Sequence, residues 1–102
     1  MQFAIEYERT LKSEQKYEKI LEAIESERRL HTILYLAPSY EIISSLRWYF
    51  KRSSRDLLFA MVDEFKRSVL DTQVDLANTH HRITLAEALS RSVAQMESPA
   101  NG

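Results

Sequence analysis

Gln2-Phe3-Ala4-Ile5-Glu6-Tyr7-Glu8-Arg9-Thr10-Leu11-Lys12-Ser13, running on through a charged helical segment to Thr32-Ile33-Leu34-Tyr35-Leu36-Ala37-Pro38, decides the fold. Phe3, Ile5 and Tyr7 alternate with Ala4, Glu6 and Glu8, the period of a strand with one buried face. Ser13 is placed to cap a helix that carries Tyr17, Ile20, Leu21 and Ile24 as a single apolar stripe. Thr32 to Leu36 reads as a buried strand, stopped by Ala37-Pro38-Ser39. Strand, helix and strand within about 36 residues make a βαβ unit, which predicts two parallel strands and a right-handed crossover.

Downstream the same logic continues. Ser39 can cap a helix over Tyr40 to Lys51, with Ile42, Ile43, Leu46, Tyr49 and Phe50 on its core side. Trp48 falls on the opposite side, among Arg47, Lys51 and Arg52. Leu57 to Val62 is apolar throughout and predicts a third strand covered on both faces. A short helix follows from about Asp63. Leu70 to Arg82 reads as loop with at most a short edge strand. Thr84-Leu85-Ala86-Glu87 is a capping box opening a last helix whose apolar stripe is Leu85, Ala88, Leu89 and Met96. The expected layout is β-α-β-α-β-α-α, an α/β domain over 1–96 with a small, mainly parallel three-stranded sheet flanked by helices. Residues 97–102 have the composition of a disordered tail.

Composition narrows the chemistry. The only glycine is Gly102, so no Walker loop, dinucleotide fingerprint or nucleophile elbow can form inside the domain. Zero cysteines exclude a disulfide scaffold, a thiolate metal site and a cysteine nucleophile. A net charge of −1 leaves any attraction to nucleic acid to a local patch. No apolar run has the length of a membrane span, and a cytoplasmic location without membrane association is expected.

Two constellations bear chemistry. Glu6 and Glu8 share one face of the first strand, about 7 Å apart, a spacing at which two carboxylates can share a divalent cation such as Mg²⁺. Lys12, just past the turn, can hold a phosphate or polarise a water; a solvated strand face pairing with nearby cations is the alternative. The second is Arg47-Trp48-Tyr49-Phe50-Lys51-Arg52-Ser53-Ser54-Arg55, with four cations and no acid. Arg47, Lys51, Arg52 and Arg55 beside Trp48 combine phosphate-binding charge with a stacking platform, a nucleic-acid-binding pattern. The competing account is dipole complementation at a helix end, with Trp48 packed on a neighbour. His80 and His81, adjacent in a loop, and His31 have no metal-binding spacing. Tyr7, Tyr17 and Tyr35 sit in apolar patterns and read as core, while Ser13 and Ser39 read as caps.

Glu6-Tyr7-Glu8-Arg9-Thr10-Leu11-Lys12-Ser13, Lys16-Tyr17-Glu18-Lys19-Ile20-Leu21 and Ile33-Leu34-Tyr35-Leu36-Ala37-Pro38-Ser39 resemble the later half of the plasmid replication-relaxation and mobilisation family. Those proteins are similar to relaxases on the PD-(D/E)xK restriction-endonuclease fold. The resemblance implies a partial core of that fold, with Glu6 as the acid of the later catalytic strand and Mg²⁺ as cofactor. The position two after Glu6 is Glu8 and not lysine, so Lys12 would supply the cation from a shifted place. It implies a DNA-processing module incomplete as a nuclease by itself, with the earlier acidic strand lying before Met1. The alternative is a non-catalytic interaction or regulatory domain that keeps only the fold. An open sheet edge at the first strand predicts a homodimer or a contact with a missing N-terminal part.

Overall fold

A computed structural model describes residues 2–27, 30–76 and 82–97. The first strand, β1 (Gln2–Tyr7), is followed by α1 (Glu14–Ser26), β2 (Leu30–Ala37), α2 (Tyr40–Tyr49) and β3 (Asp56–Met61). Then come α3 (Val62–Ser68), a 3₁₀ turn (Val69–Asp71), β4 (Gln73–Leu76), β5 (Arg82–Thr84) and α4 (Leu85–Glu97). The five strands form one sheet in the order β1-β2-β3-β4-β5. β1, β2 and β3 run parallel, whereas β4 and β5 join antiparallel.

The βαβ reading holds because each helix starts on a built cap. Ser13 Oγ accepts from Lys16 N–H at 3.3 Å, and Ser39 Oγ accepts from Ile42 N–H at 3.3 Å. Both satisfy donors that the first helical turn leaves unpaired. α1 and α2 cover the same face of the sheet, as two like-handed crossovers between successive neighbouring strands require. Tyr17, Ile24, Ile43, Leu46 and Phe50 pack there on Ile33, Tyr35, Leu57 and Phe59. The other face carries Leu34, Leu36, Leu58, Ala60 and Val74 under Leu85 and Ala88 of α4. β2 and β3 are therefore apolar on both sides, which explains their unbroken hydrophobic runs.

Two expectations are corrected. Among the described residues the sheet has five strands and is mixed, not three and mainly parallel, because the stretch read as loop with at most a short edge strand supplies β4 and leads into β5. Those strands span only four and three residues, too short for a clear alternation, and Asp75 sits mid-ladder. That carboxylate is tolerated because Arg82 Nε lies 3.1 Å away on the paired strand. The Phe3, Ile5 and Tyr7 face of β1, expected to be buried, is covered only at Phe3. Ile5 and Tyr7 are 51% and 53% exposed, while Glu8 is 5% exposed. On the face of Ile5 and Tyr7, α3 packs on β2 and β3 and α4 on the 3₁₀ turn and β5, so these two at the sheet edge stay exposed while Phe3 still packs on the core.

At the Thr84 cap, Glu87 N–H donates to Thr84 Oγ1 at 3.2 Å. Glu87 does reach back, but its carboxylate accepts from the Thr84 hydroxyl at 3.3 Å. Tyr17 and Tyr35 are buried as expected, and Trp48 is 56% exposed. His80 and His81 lie outside the described residues.

The end of α1 is tied to the turn before β3 by Glu25, whose carboxylate accepts from the Ser53 hydroxyl at 2.6 Å and from the Ser54 N–H at 2.8 Å. The Ser54 hydroxyl donates to it as well. These bonds from Ser53 and Ser54 hold the Glu25 carboxyl below its ordinary value of 4.5. A group lowered on folding contributes stability that is present above the unfolded value and is lost as pH falls through the folded one. Urea midpoints of the chain and of Glu25→Gln should therefore differ most near neutrality and converge as pH drops below 4.5. A pH-independent difference would remove the carboxylate from this role.

Candidate functional site

Glu8 stands one residue beyond β1, yet its backbone N–H still donates to Leu36 O at 2.8 Å. That bond aims its side chain to the α1 side, the same face as Ala4 and Glu6. A buried carboxylate needs partners, and this one has two. Oε1 accepts from Lys12 Nζ at 2.5 Å and Oε2 accepts from the Tyr17 hydroxyl at 2.8 Å. The Tyr17 hydroxyl in turn accepts from Lys12 N–H at 3.0 Å. Glu8, the turn bearing Lys12 and the first turn of α1 thus close on one another.

The Tyr17 ring is fixed as firmly as its hydroxyl. It stacks on Tyr49 at 4.6 Å between centroids and meets the Phe50 ring edge-on at 5.7 Å. Burial, reinforced by the bond to Glu8, pushes the phenol up to about 12. The phenol thus keeps its proton for the bond to Glu8 at neutral pH. The Tyr35 phenol is likewise raised, by burial first and then by the charges of Glu6 and Glu8.

Glu6 and Glu8 border one groove of about 420 Å³ between β1 and α1, together with Lys12, Glu27 and Tyr35. Glu6 is exposed at its rim. The structure thus brings the three residues Glu6, Glu8 and Lys12 together, with Lys12 bonded to Glu8. No group of three or more acidic, histidine or cysteine side chains with metal-ligand geometry occurs among the described residues. Two hard carboxylates suit a Mg²⁺ ion, which needs one or two protein carboxylates and retains waters. Each Glu8 oxygen, having accepted one hydrogen bond, keeps a further acceptor direction.

The basic stretch is dispersed. Arg47 Nε donates to Leu76 O at 3.1 Å, against β4. Arg55 Nη2 donates to Glu25 O at 3.0 Å, at the end of α1. Trp48, Lys51 and Arg52 remain together on a second groove of about 410 Å³, where Lys51 Nζ sits 4.8 Å from the Trp48 ring centre. Its opposite wall carries Glu14 and Glu18 of α1. These two acids share the groove with the cations, a neighbourhood that counting charge along the Arg47–Arg55 segment does not reveal.

The two grooves flank α1 on opposite sides: Ile20, Ala23, Ile24 and Glu27 border one, Glu14, Glu18 and Leu21 the other. Tyr17 links them, lining the second and bonding to Glu8 in the first. Sequence reasoning assigned Tyr17 to the core alone; its apolar spacing gives no sign of the hydroxyl's partner nine residues back. Compared with protein-family models, curated proteins and solved structures, the chain matches none.

Tyr17→Phe keeps the stacked ring but leaves Glu8 Oε2 and Lys12 N–H without their partner. It should lower unfolding free energy by about 1–3 kcal/mol in urea titration. An unchanged midpoint would mean that the hydroxyl contributes nothing to closing this site.

Proposed function

We propose that the chain is a DNA-processing module of the relaxase or restriction-endonuclease-like type, approaching a phosphodiester through the groove of Glu6, Glu8 and Lys12. The acid pair carries this reading. Both side chains are on one face of β1, near its carboxyl end, the end of the strands at which open α/β sheets take their ligands. Glu6 and Glu8 would hold Mg²⁺, which supplies polarisation of a phosphate oxygen when bound. Lys12 offers the only cationic side chain of that groove to an incoming phosphate, among its described lining residues. Tyr17 and Lys12 together fix the direction in which Glu8 presents its remaining acceptor positions. Exposed Trp48, with Lys51 and Arg52, offers a platform for an unpaired base beside two phosphate-binding cations. In this reading the chain contributes the later-strand share of a restriction-endonuclease-like centre and works in the cytoplasm.

The second reading is a non-catalytic, dimeric interaction or regulatory domain that keeps only the fold. Its support is that both oxygens of Glu8 are already engaged by protein donors.

Titration with Mn²⁺ should broaden the NMR signals of Glu6 and Glu8 selectively in the native chain and not in Glu6→Gln. Uniform or absent broadening would overturn the metal site and favour the second reading. Trp48→Ala should weaken single-stranded DNA binding by about 1 kcal/mol or more. Equal affinity of the variant and the native chain would remove Trp48 from the nucleic-acid surface.

A further inference from the structure

β1 is the last strand on its side of the sheet among the described residues. Native edge strands usually carry a lysine, a proline, a bulge or a covering segment that prevents further pairing. Phe3 to Tyr7 has neither lysine nor proline, and the one register shift against β2 lies at its start, between Gln2 and Phe3, so the pairing is regular from Phe3 onward. The helices on the Phe3, Ile5 and Tyr7 face pack over β2, β3 and β5, leaving Ile5 and Tyr7 about half exposed at 51% and 53%.

The direction of the backbone groups follows from a single bond. Glu8 N–H points to Leu36 O, into the sheet. Backbone groups alternate direction along a strand, so Ala4 and Glu6 also point inward. Phe3, Ile5 and Tyr7 therefore present their N–H and C=O groups to the open side.

From this parity we infer that β1 pairs antiparallel with β1 of a second copy of the chain, about a two-fold axis at Ile5, to make one continuous ten-stranded sheet. With Ile5 opposite the second copy's Ile5, Phe3 falls opposite Tyr7 and Tyr7 opposite Phe3. Each of these is a hydrogen-bonded pair in which both residues have outward-facing groups to exchange. Centring the axis on Ala4 would leave Tyr7 unpaired and use fewer of them. Side chains agree with the same register. On one face Ile5 meets Ile5 and Phe3 meets Tyr7, the aromatic and branched cross-strand contacts that stabilise antiparallel pairs. On the other face Glu6 lies opposite Ala4, so no like charges are directly opposed.

A two-fold axis normal to the sheet keeps both α1 helices on one side. The two grooves between β1 and α1 then open into a single cleft, floored by the paired strands. The Glu6 of each copy becomes a diagonal neighbour of the other, at about 7–8 Å. This inference stands apart from the DNA-processing reading: a chain that binds neither metal nor DNA would still pair in this way.

Sedimentation and light scattering should give the mass of two chains at micromolar concentration, falling to one on dilution. Ile5→Pro removes an outward N–H and no bond to β2, and edge strands accept proline at such positions. It should yield a folded monomer. Ile5→Lys, which retains every backbone group, should do the same and covers the case of a proline variant that fails to fold. Because the chain contains no cysteine, Ile5→Cys gives a clean register probe. Its two sulfurs should crosslink under mild oxidation, since the facing Cα atoms lie at about 5.5 Å. A native chain that stays monomeric at millimolar concentration would overturn the pairing. So would a folded Ile5→Lys dimer, or crosslinking through Ala4→Cys in place of Ile5→Cys.

Discussion

A carboxylate removed from water at the end of the first strand is the constraint around which this molecule is arranged. Glu8 is 5% exposed and is held by an ammonium and a phenol. An ionised group so placed without partners would cost several kcal/mol, so the chain around it has little freedom. Lys12 must turn back, which sets the path between β1 and α1. Tyr17 must direct its hydroxyl inward, which sets the rotation of α1. Its ring then rests on Tyr49 and Phe50 and so fixes where α2 ends. One charge links strand, turn and two helices.

The same arrangement governs what the surface offers. α1 forms a ridge with an acidic groove on one flank and a mixed aromatic groove on the other. On the first flank Lys12 is largely committed to Glu8; on the second, Lys51 and Arg52 share the groove with Glu14 and Glu18. Neither groove has the strong positive potential of a general polyanion channel, in keeping with the chain's net charge of −1. A nucleic-acid partner would meet Trp48 through stacking more than through charge.

Much of the fold was legible in the sequence because local chemistry and global topology agree in the first half. Ser13 and Ser39 cap the helices they precede, and the apolar runs of β2 and β3 mark strands covered twice. The failures have physical causes. The alternation in β1 was genuine, but how far its apolar face is covered depends on the helices above it, and an edge position beyond α3 and α4 leaves Ile5 and Tyr7 exposed while Phe3 still packs. β4 was obscured by Asp75, whose compensation by Arg82 comes from a different strand. Glu6, Glu8 and Lys12 could be grouped from spacing because strand and turn keep them close. The cations from Arg47 to Arg55 could not, since the helix ends at Tyr49 and the chain turns away, sending Arg47 and Arg55 to opposite supports.

The two borders of the sheet are unlike. β5 spans only three residues and carries an exposed arginine, bound to Asp75 and to the Tyr40 hydroxyl at 2.9 Å. So brief and charged a margin is a poor template for an incoming strand, whereas β1 is twice as long and uncharged except at Glu6. Among the described residues, β1 is therefore the better template for a further strand. Two copies associated through that side, as inferred above, would consume it and form a closed pair.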